Sequence, residues 1–209
     1  MLFKNSALLI SFIWIFLDSS DTWSTQQRIE VKSVLFHEIR DPQGRGDWFE
    51  MRVVLGCVPN GGEGEGFIRR VGVTANLAFN IDFGKRSGFE FYQRRVVVAS
   101  IAEGEEAAIY YYLPPAIVNR DRLGDAPFSW QVALDVKGVP LSNEKGSYSK
   151  DLSDSRVAES FRERIEREAV KNEGILLPVY DTPFYYNGQR RLADSPPYVR
   201  ESSLTGRTK

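Results

Sequence analysis

A single histidine and a single cysteine bound the chemistry that this 209-residue chain could perform. His37 would have to be the base of any Ser-His or Cys-His pair. It falls on the apolar phase of a β-patterned segment with Ile29, Val31, Leu35 and Ile39, the place of a core or edge histidine. Cys57 also lies on a core phase, in the run Val53 to Val58, where apolar surroundings keep a thiol inert. One histidine and one cysteine are too few for a transition-metal site of the usual kind. Asn119, Asp121 and Asp125 offer oxygen ligands, but Leu123 stands where a calcium loop needs a further one, so the segment reads as a surface turn. No metal and no other cofactor is expected.

Two Ser-x-x-Lys pairs, Ser142/Lys145 and Ser147/Lys150, have the spacing of a lysine-activated serine nucleophile. The accompanying Lys-Thr-Gly and Ser-Asp-Asn motifs are missing, and both pairs lie in a polar stretch rather than opening a catalytic helix. Arg45-Gly46-Asp47 spells an integrin-type adhesion tripeptide in a turn, just before Trp48-Phe49 starts a strand. The aromatics carry more weight. Trp48 and Phe36 fall on polar phases, and Tyr110-Tyr111-Tyr112 places tyrosines on both faces of one strand. Exposed aromatics on a sheet stack on sugar rings or anchor a protein partner. Trp48, Tyr110 and Tyr112 are therefore the candidate binding residues, with glycans as the alternative ligand and the inward-phased Trp130 the weakest platform. The competing expectation is that a helix or the proline-rich C-terminal piece packs over that face.

With 27 basic and 28 acidic residues the formal net charge is -1, which gives no electrostatic footprint for nucleic acid. Hydrophobic residues make up 42% and aromatics 12%, enough to build a packed core. The absence of a catalytic constellation argues for a non-enzymatic role.

The N-terminus reads as a signal peptide over residues 1–24. Lys4 supplies a positive start, Ala7 to Leu17 (ALLISFIWIFL) forms the apolar region, and a polar stretch follows. That apolar region falls well short of the roughly 20 residues needed to span a bilayer. Cleavage is expected near residues 20–24, at Ser20/Thr22 or Thr22/Ser24, leaving a mature chain without a transmembrane span. A lone Cys57 means no internal disulfide, and no Asn-x-Ser/Thr sequon occurs. The missing sequon fits a bacterial setting: the periplasm, the outer membrane or the cell surface.

Period-two patterns dominate the rest. Ile29–Arg40, Phe49–Cys57, Val71–Asp82, Phe89–Ile101, Ala107–Leu113 and Phe128–Val136 read as strands. Pro59-Asn60-Gly61-Gly62 is a hairpin signal between the second and third. A phase break at Gln93-Arg94-Arg95 predicts a bulge. A helix over 155–173 carries the stripe Val157, Phe161, Ile165 and Ala169, capped by Asp154 or Ser155 and by Gly174. Pro178 and Pro183 confine Ile175–Tyr186 to an edge or irregular strand, and residues 187–209 read as a flexible polar tail. The expected domain, 25–186, is mainly β: an antiparallel immunoglobulin-like β-sandwich with one C-terminal amphipathic α-helix.

The export segment, the strand Trp48-Phe49-Glu50-Met51-Arg52-Val53-Val54-Leu55 and the run Tyr110-Tyr111-Tyr112-Leu113-Pro114-Pro115 together resemble the immunoglobulin-like exported proteins associated with bacterial type IV pilus systems. Their fold is similar to the soluble domain of archaeal pilins. The resemblance implies protein–protein contact with envelope or pilus-assembly proteins, or with further copies of the chain, and it implies no catalytic residue. The chain departs from a true pilin, lacking the Gly before the apolar helix, the Glu inside it and the length of a filament-core helix. An accessory or surface-assembly component is expected rather than the filament subunit.

Overall fold

Strict alternation along β3 (Phe67–Phe83) sends Val71, Val73, Ala75, Leu77, Phe79 and Ile81 to one face, and all six are buried in the main core. Alternation on β2 (Asp47–Cys57) does the same for Phe49, Met51, Val53, Leu55 and Cys57. These two strands face each other across the centre of the molecule. The computed structural model describes residues 29–58, 66–83, 86–142, 147–187 and 195–199. The expected signal peptide lies outside the described residues, as do Pro59–Gly62, Lys145 and most of the tail.

The remaining elements are β1 (Ile29–Arg40), β4 (Arg86–Ala102), β5 (Glu106–Leu113), α1 (Pro115–Asp121), β6 (Ser129–Val136), β7 (Val139–Pro140), α2 (Ser155–Glu168), β8 (Leu177–Pro178), α3 (Phe184–Asn187) and β9 (Tyr198–Val199). One sheet has the order β1-β2-β5-β8 and the other β7-β6-β3-β4-β9, with every pairing antiparallel. Hairpins β1–β2 and β3–β4 sit in different sheets, and the chain crosses between sheets after β2, β4, β5, β7 and β8. This is the Greek-key connectivity of an immunoglobulin-like sandwich.

Four local expectations change. β2 and β3 do not pair, so the Pro59–Gly62 segment links two sheets rather than closing a hairpin. The bulge is absent from β4, whose register with β3 runs unbroken through Gln93–Arg95. The phase break there comes from Arg94, which shares the phase of core-facing Tyr92 and Val96 and reaches Asp181 at 3.6 Å. The bulge sits in β1 instead, between Val31 and Ser33. It reverses the facing of everything beyond it, so Val34 and Phe36 pack on the core while Leu35 and His37 are exposed.

α1 was not legible as a helix. Pro115 opens it at a position where a missing N–H costs nothing. Gly46 of the β1–β2 turn packs on it closely enough that a Cβ there would lie 3.0 Å from the Pro115 Cβ. α2 follows the expected pattern. Asp154 caps it by accepting from the backbone N–H of Arg156 and Val157, and Gly174 takes a positive φ of 77° past its end. Phe161, Ile165 and Ala169 bury against Phe91, Ala78 and Leu152 on the outer face of the second sheet. Arg164 pairs with Glu168 at 3.2 Å, one turn away.

Beyond α2 the chain wraps the sandwich. Asn172 donates to the Phe91 carbonyl and the Glu90 carboxylate of β4, both at 2.9 Å. Leu176 then enters the core, β8 pairs with Tyr111–Tyr112 of β5, and Val179 and Phe184 reach the outer face of the first sheet. β9 returns to pair with Val97–Val98 of β4. Within the stretch expected to be a flexible tail, Tyr198–Val199 dock on β4 as an edge strand.

Candidate functional site

The three candidate binding residues share the outer face of the first sheet. Trp48 and Tyr112 meet edge to face at 6.4 Å, and Tyr110 stacks beside Tyr112 at 6.5 Å. Of the two expectations for this face, exposure or coverage, coverage is what the structure shows. Phe184 covers them, 5.4 Å from Trp48 and 5.0 Å from Tyr112, with Val179 alongside. Exposure falls to 6% for Trp48, 4% for Tyr110 and 0% for Tyr112. No ring face is left for a sugar to stack on. The expectation of an exposed aromatic platform is corrected: the proline-rich C-terminal piece packs over it, because leaving such rings in water costs about 25 cal/mol per Å² of apolar surface.

Polar groups hold this covered face in place. The Trp48 indole Nε1 donates to Asp41 at 2.8 Å, and this bond, more than any other influence, holds the Asp41 carboxyl below its usual value. Burial raises the Tyr198 hydroxyl well above its usual value, so it stays protonated.

The other candidates are dispersed. His37 opposes Glu50 in the β1–β2 ladder, whereas Cys57 opposes Ile29. Eight residues of strand separate these positions, roughly 27 Å, so no Cys-His pair forms. Cys57 is buried and not in a disulfide. Asp121 is committed to structure, taking the Tyr92 hydroxyl at 2.9 Å and the Arg120 guanidinium. Burial and then Asp121 push the Tyr92 hydroxyl far above its usual value. Among the described residues no three His, Cys, Asp or Glu side chains gather as a metal set. In the Arg45-Gly46-Asp47 turn, Arg45 lies 3.7 Å from Asp41 and Asp47 lies 3.5 Å from Arg40, so both charges face partners within the hairpin.

What the fold leaves open is a sheet edge. β9 and the Pro197 carbonyl cover β4, the latter accepting from Ala99 N–H at 2.7 Å. β7 and the Ser147–Ser149 segment cover β6 through Ser149 N–H to Trp130 and Val132 N–H to Ser147. β8 covers the end of β5. Among the described residues no strand pairs with the outer side of β1. The bulge and the Glu30–Lys32 ion pair guard its first half, as edge strands commonly are guarded, whereas Ser33–Arg40 runs regularly and exposes Leu35 at 41%. Sequence patterns can suggest contact through a sheet edge but not which strand supplies it, because an edge position depends on the order of strands, which their own patterns do not encode.

The fold is a β-sandwich of two antiparallel sheets in which the aromatic outer face of the first sheet is covered by the C-terminal piece. No family model matches the chain, and no curated protein does. Among solved structures it is similar to a crystal structure from Akkermansia muciniphila, with a TM-score of 0.56 at 15% identity, covering 84% of this chain and 94% of that one. At that identity the likeness shows the fold alone: a mainly β sandwich of two antiparallel sheets with a C-terminal helix.

Proposed function

We propose that this chain is a non-enzymatic, exported component of a bacterial surface or pilus-like assembly, joined to its partner by strand addition at β1. The single observation that carries this reading is the edge Ser33–Arg40, beside which no strand lies among the described residues, whereas the β4 and β6 edges are both covered. Strand addition uses main-chain hydrogen bonds for affinity and alternate side chains, here Leu35 and His37, for selectivity. The resemblance to pilus-associated exported sandwiches and the signal-peptide pattern supply the setting. The glycan reading loses its support with the burial of Trp48, Tyr110 and Tyr112.

A photo-crosslinking amino acid placed at Leu35 tests the proposal in the cells that make the protein, with Gly124 on the α1–β6 connection as the control position. Adducts to an envelope or pilus protein, or to a second copy, are expected from position 35 and not from 124. Adducts from neither position, or equally from both, would overturn it. Intact-mass analysis of the mature chain checks export, with a start near residues 21–25 expected.

A further inference from the structure

A cavity of about 580 Å³ opens beside β5, where Arg52 and Val54 of β2, Glu106 to Ala108 of β5 and the end of β4 meet the Ser195–Pro197 segment. This volume is in the range of small-ligand sites. Two observations distinguish it from a surface dent. The first is Arg52. Its Nε is buried with no hydrogen bond, the guanidinium lies 5.8 Å from the Tyr110 ring, and among the described residues no carboxylate is paired to it. Arg52 is half-buried, and a buried guanidinium N–H without an acceptor is costly, so an anion beside it would supply the missing partner. The second is the edge of β5. β8 covers only Tyr111 and Tyr112, so among the described residues no strand lies beside Glu106–Ile109 on that side.

The charges have a direction. Arg52 stands opposite Tyr110 in the ladder, and Glu106 lies four residues farther along β5. Their separation along the sheet is roughly 14 Å, the length of four extended residues. Glu105 and Glu106 are exposed at that far end, and Lys32, which also acts on Glu106, is already engaged by Glu30. Between the charged ends the lining is small: Ala107, Ala108 and Ala102. A dianionic ligand would meet the two glutamates, and a purely cationic one would meet Arg52. A chain with a carboxylate at one end and an ammonium at the other meets neither conflict.

We infer that this cavity binds a short peptide of about four small residues, laid as a strand along β5 with its C-terminal carboxylate on Arg52 and its N-terminal ammonium at Glu105 and Glu106. The site is separate from the β1 edge, and its failure would leave that reading untouched. Strand addition and carboxylate capture are both established modes of peptide recognition.

Isothermal titration of the full chain with tetra-alanine tests the assignment, alongside tetra-alanine amide and N-acetyl-tetra-alanine. One-to-one binding of the free peptide is expected. Amidation should weaken it at least about tenfold, since it removes a charge-assisted pair, and acetylation should weaken it several-fold. Arg52→Gln should bind free peptide and amide alike. No binding of the free peptide at millimolar concentration would overturn the site, and so would equal binding of free peptide and amide to the wild-type chain. That ligand-side comparison holds even where Arg52→Gln fails to fold.

Discussion

The indole of Trp48 and the carboxylate of Asp41 are joined by a 2.8 Å hydrogen bond in which both residues are buried, at 6% and 3% exposure. The bond ties the β1–β2 turn to the strand that leaves it. Asp41 also accepts from the backbone N–H of Gln43 at 2.6 Å, so one carboxylate organises the whole turn. A residue that reads from sequence as a possible ligand platform is thus a structural fastener.

Replacing Trp48 with Phe keeps a ring under Phe184 but removes the donor. The Asp41 carboxyl is held below its ordinary value of 3.8 by that donor first, so its ionised form favours the folded state. A lowered carboxyl contributes stability above about pH 4, and the contribution is lost as pH falls through the folded value. Trp48→Phe should therefore melt a few degrees lower at pH 7, while the difference from wild type narrows toward pH 2.5. Thermal unfolding at both pH values checks this. An equal deficit at both would remove Asp41 from the account.

Tyr111 is fully buried on β5, and its hydroxyl donates to the Val73 carbonyl of β3 at 2.7 Å, crossing from one sheet to the other. Burial keeps this hydroxyl protonated far above its usual range. Tyr111→Phe leaves the ring's packing intact and should cost about 1 kcal/mol, the net worth of one hydrogen bond. Tyr111→Ala should cost about 3–5 kcal/mol by opening a cavity between the sheets. Guanidinium unfolding curves read both, and equal losses would mean that the hydroxyl, not the ring, carries the contact.

The first two residues of the stripe on α2 should behave differently despite sharing a phase. Phe161 is 6% exposed and meets Phe91 at 6.5 Å, whereas Val157 is 45% exposed. Phe161→Ala is expected to cost about 3 kcal/mol or more, and Val157→Ala within about 0.5 kcal/mol of nothing. Chemical denaturation of the two variants decides it. Comparable losses would mean that the helix sits on the sheet by a different face.

These cases show which parts of the fold sequence reasoning reaches. Where alternation was uninterrupted, as along Val71–Ile81, each inward residue was assigned correctly, because one slipped residue would turn an apolar row into water. Two interruptions were misread. Lys32 adds a residue to β1 without any local mark such as Gly, so simple alternation places His37 and Leu35 on the core side and Phe36 on the outside. Arg94 looked like an insertion because it is a charge on an apolar phase, and only Asp181, 87 positions later, explains it. The candidate site failed for the same reason. Trp48 and Tyr112 are covered by Phe184, a contact between residues far apart in the chain. Local periodicity finds faces, and tertiary contacts decide whether they stay open.

Cys57 offers a direct measure of the edge on which the proposed function depends. It is 3% exposed and lies opposite Ile29, so a thiol reagent reaches it only when β1 lifts from β2 or the domain unfolds. Labelling of the native chain should run at least about a thousandfold slower than that of an unstructured thiol, in proportion to the rare open population. Val31→Ser loosens β1 at a buried core position and should speed labelling more than it changes the midpoint of global unfolding. A partner strand seated on Ser33–Arg40 should slow it again, since binding to the closed form adds its free energy to the opening. Kinetics with a chromogenic disulfide reagent give all three comparisons. A native rate close to that of the free thiol would mean that β1 is already detached, and strand addition at its edge would then have no fixed template.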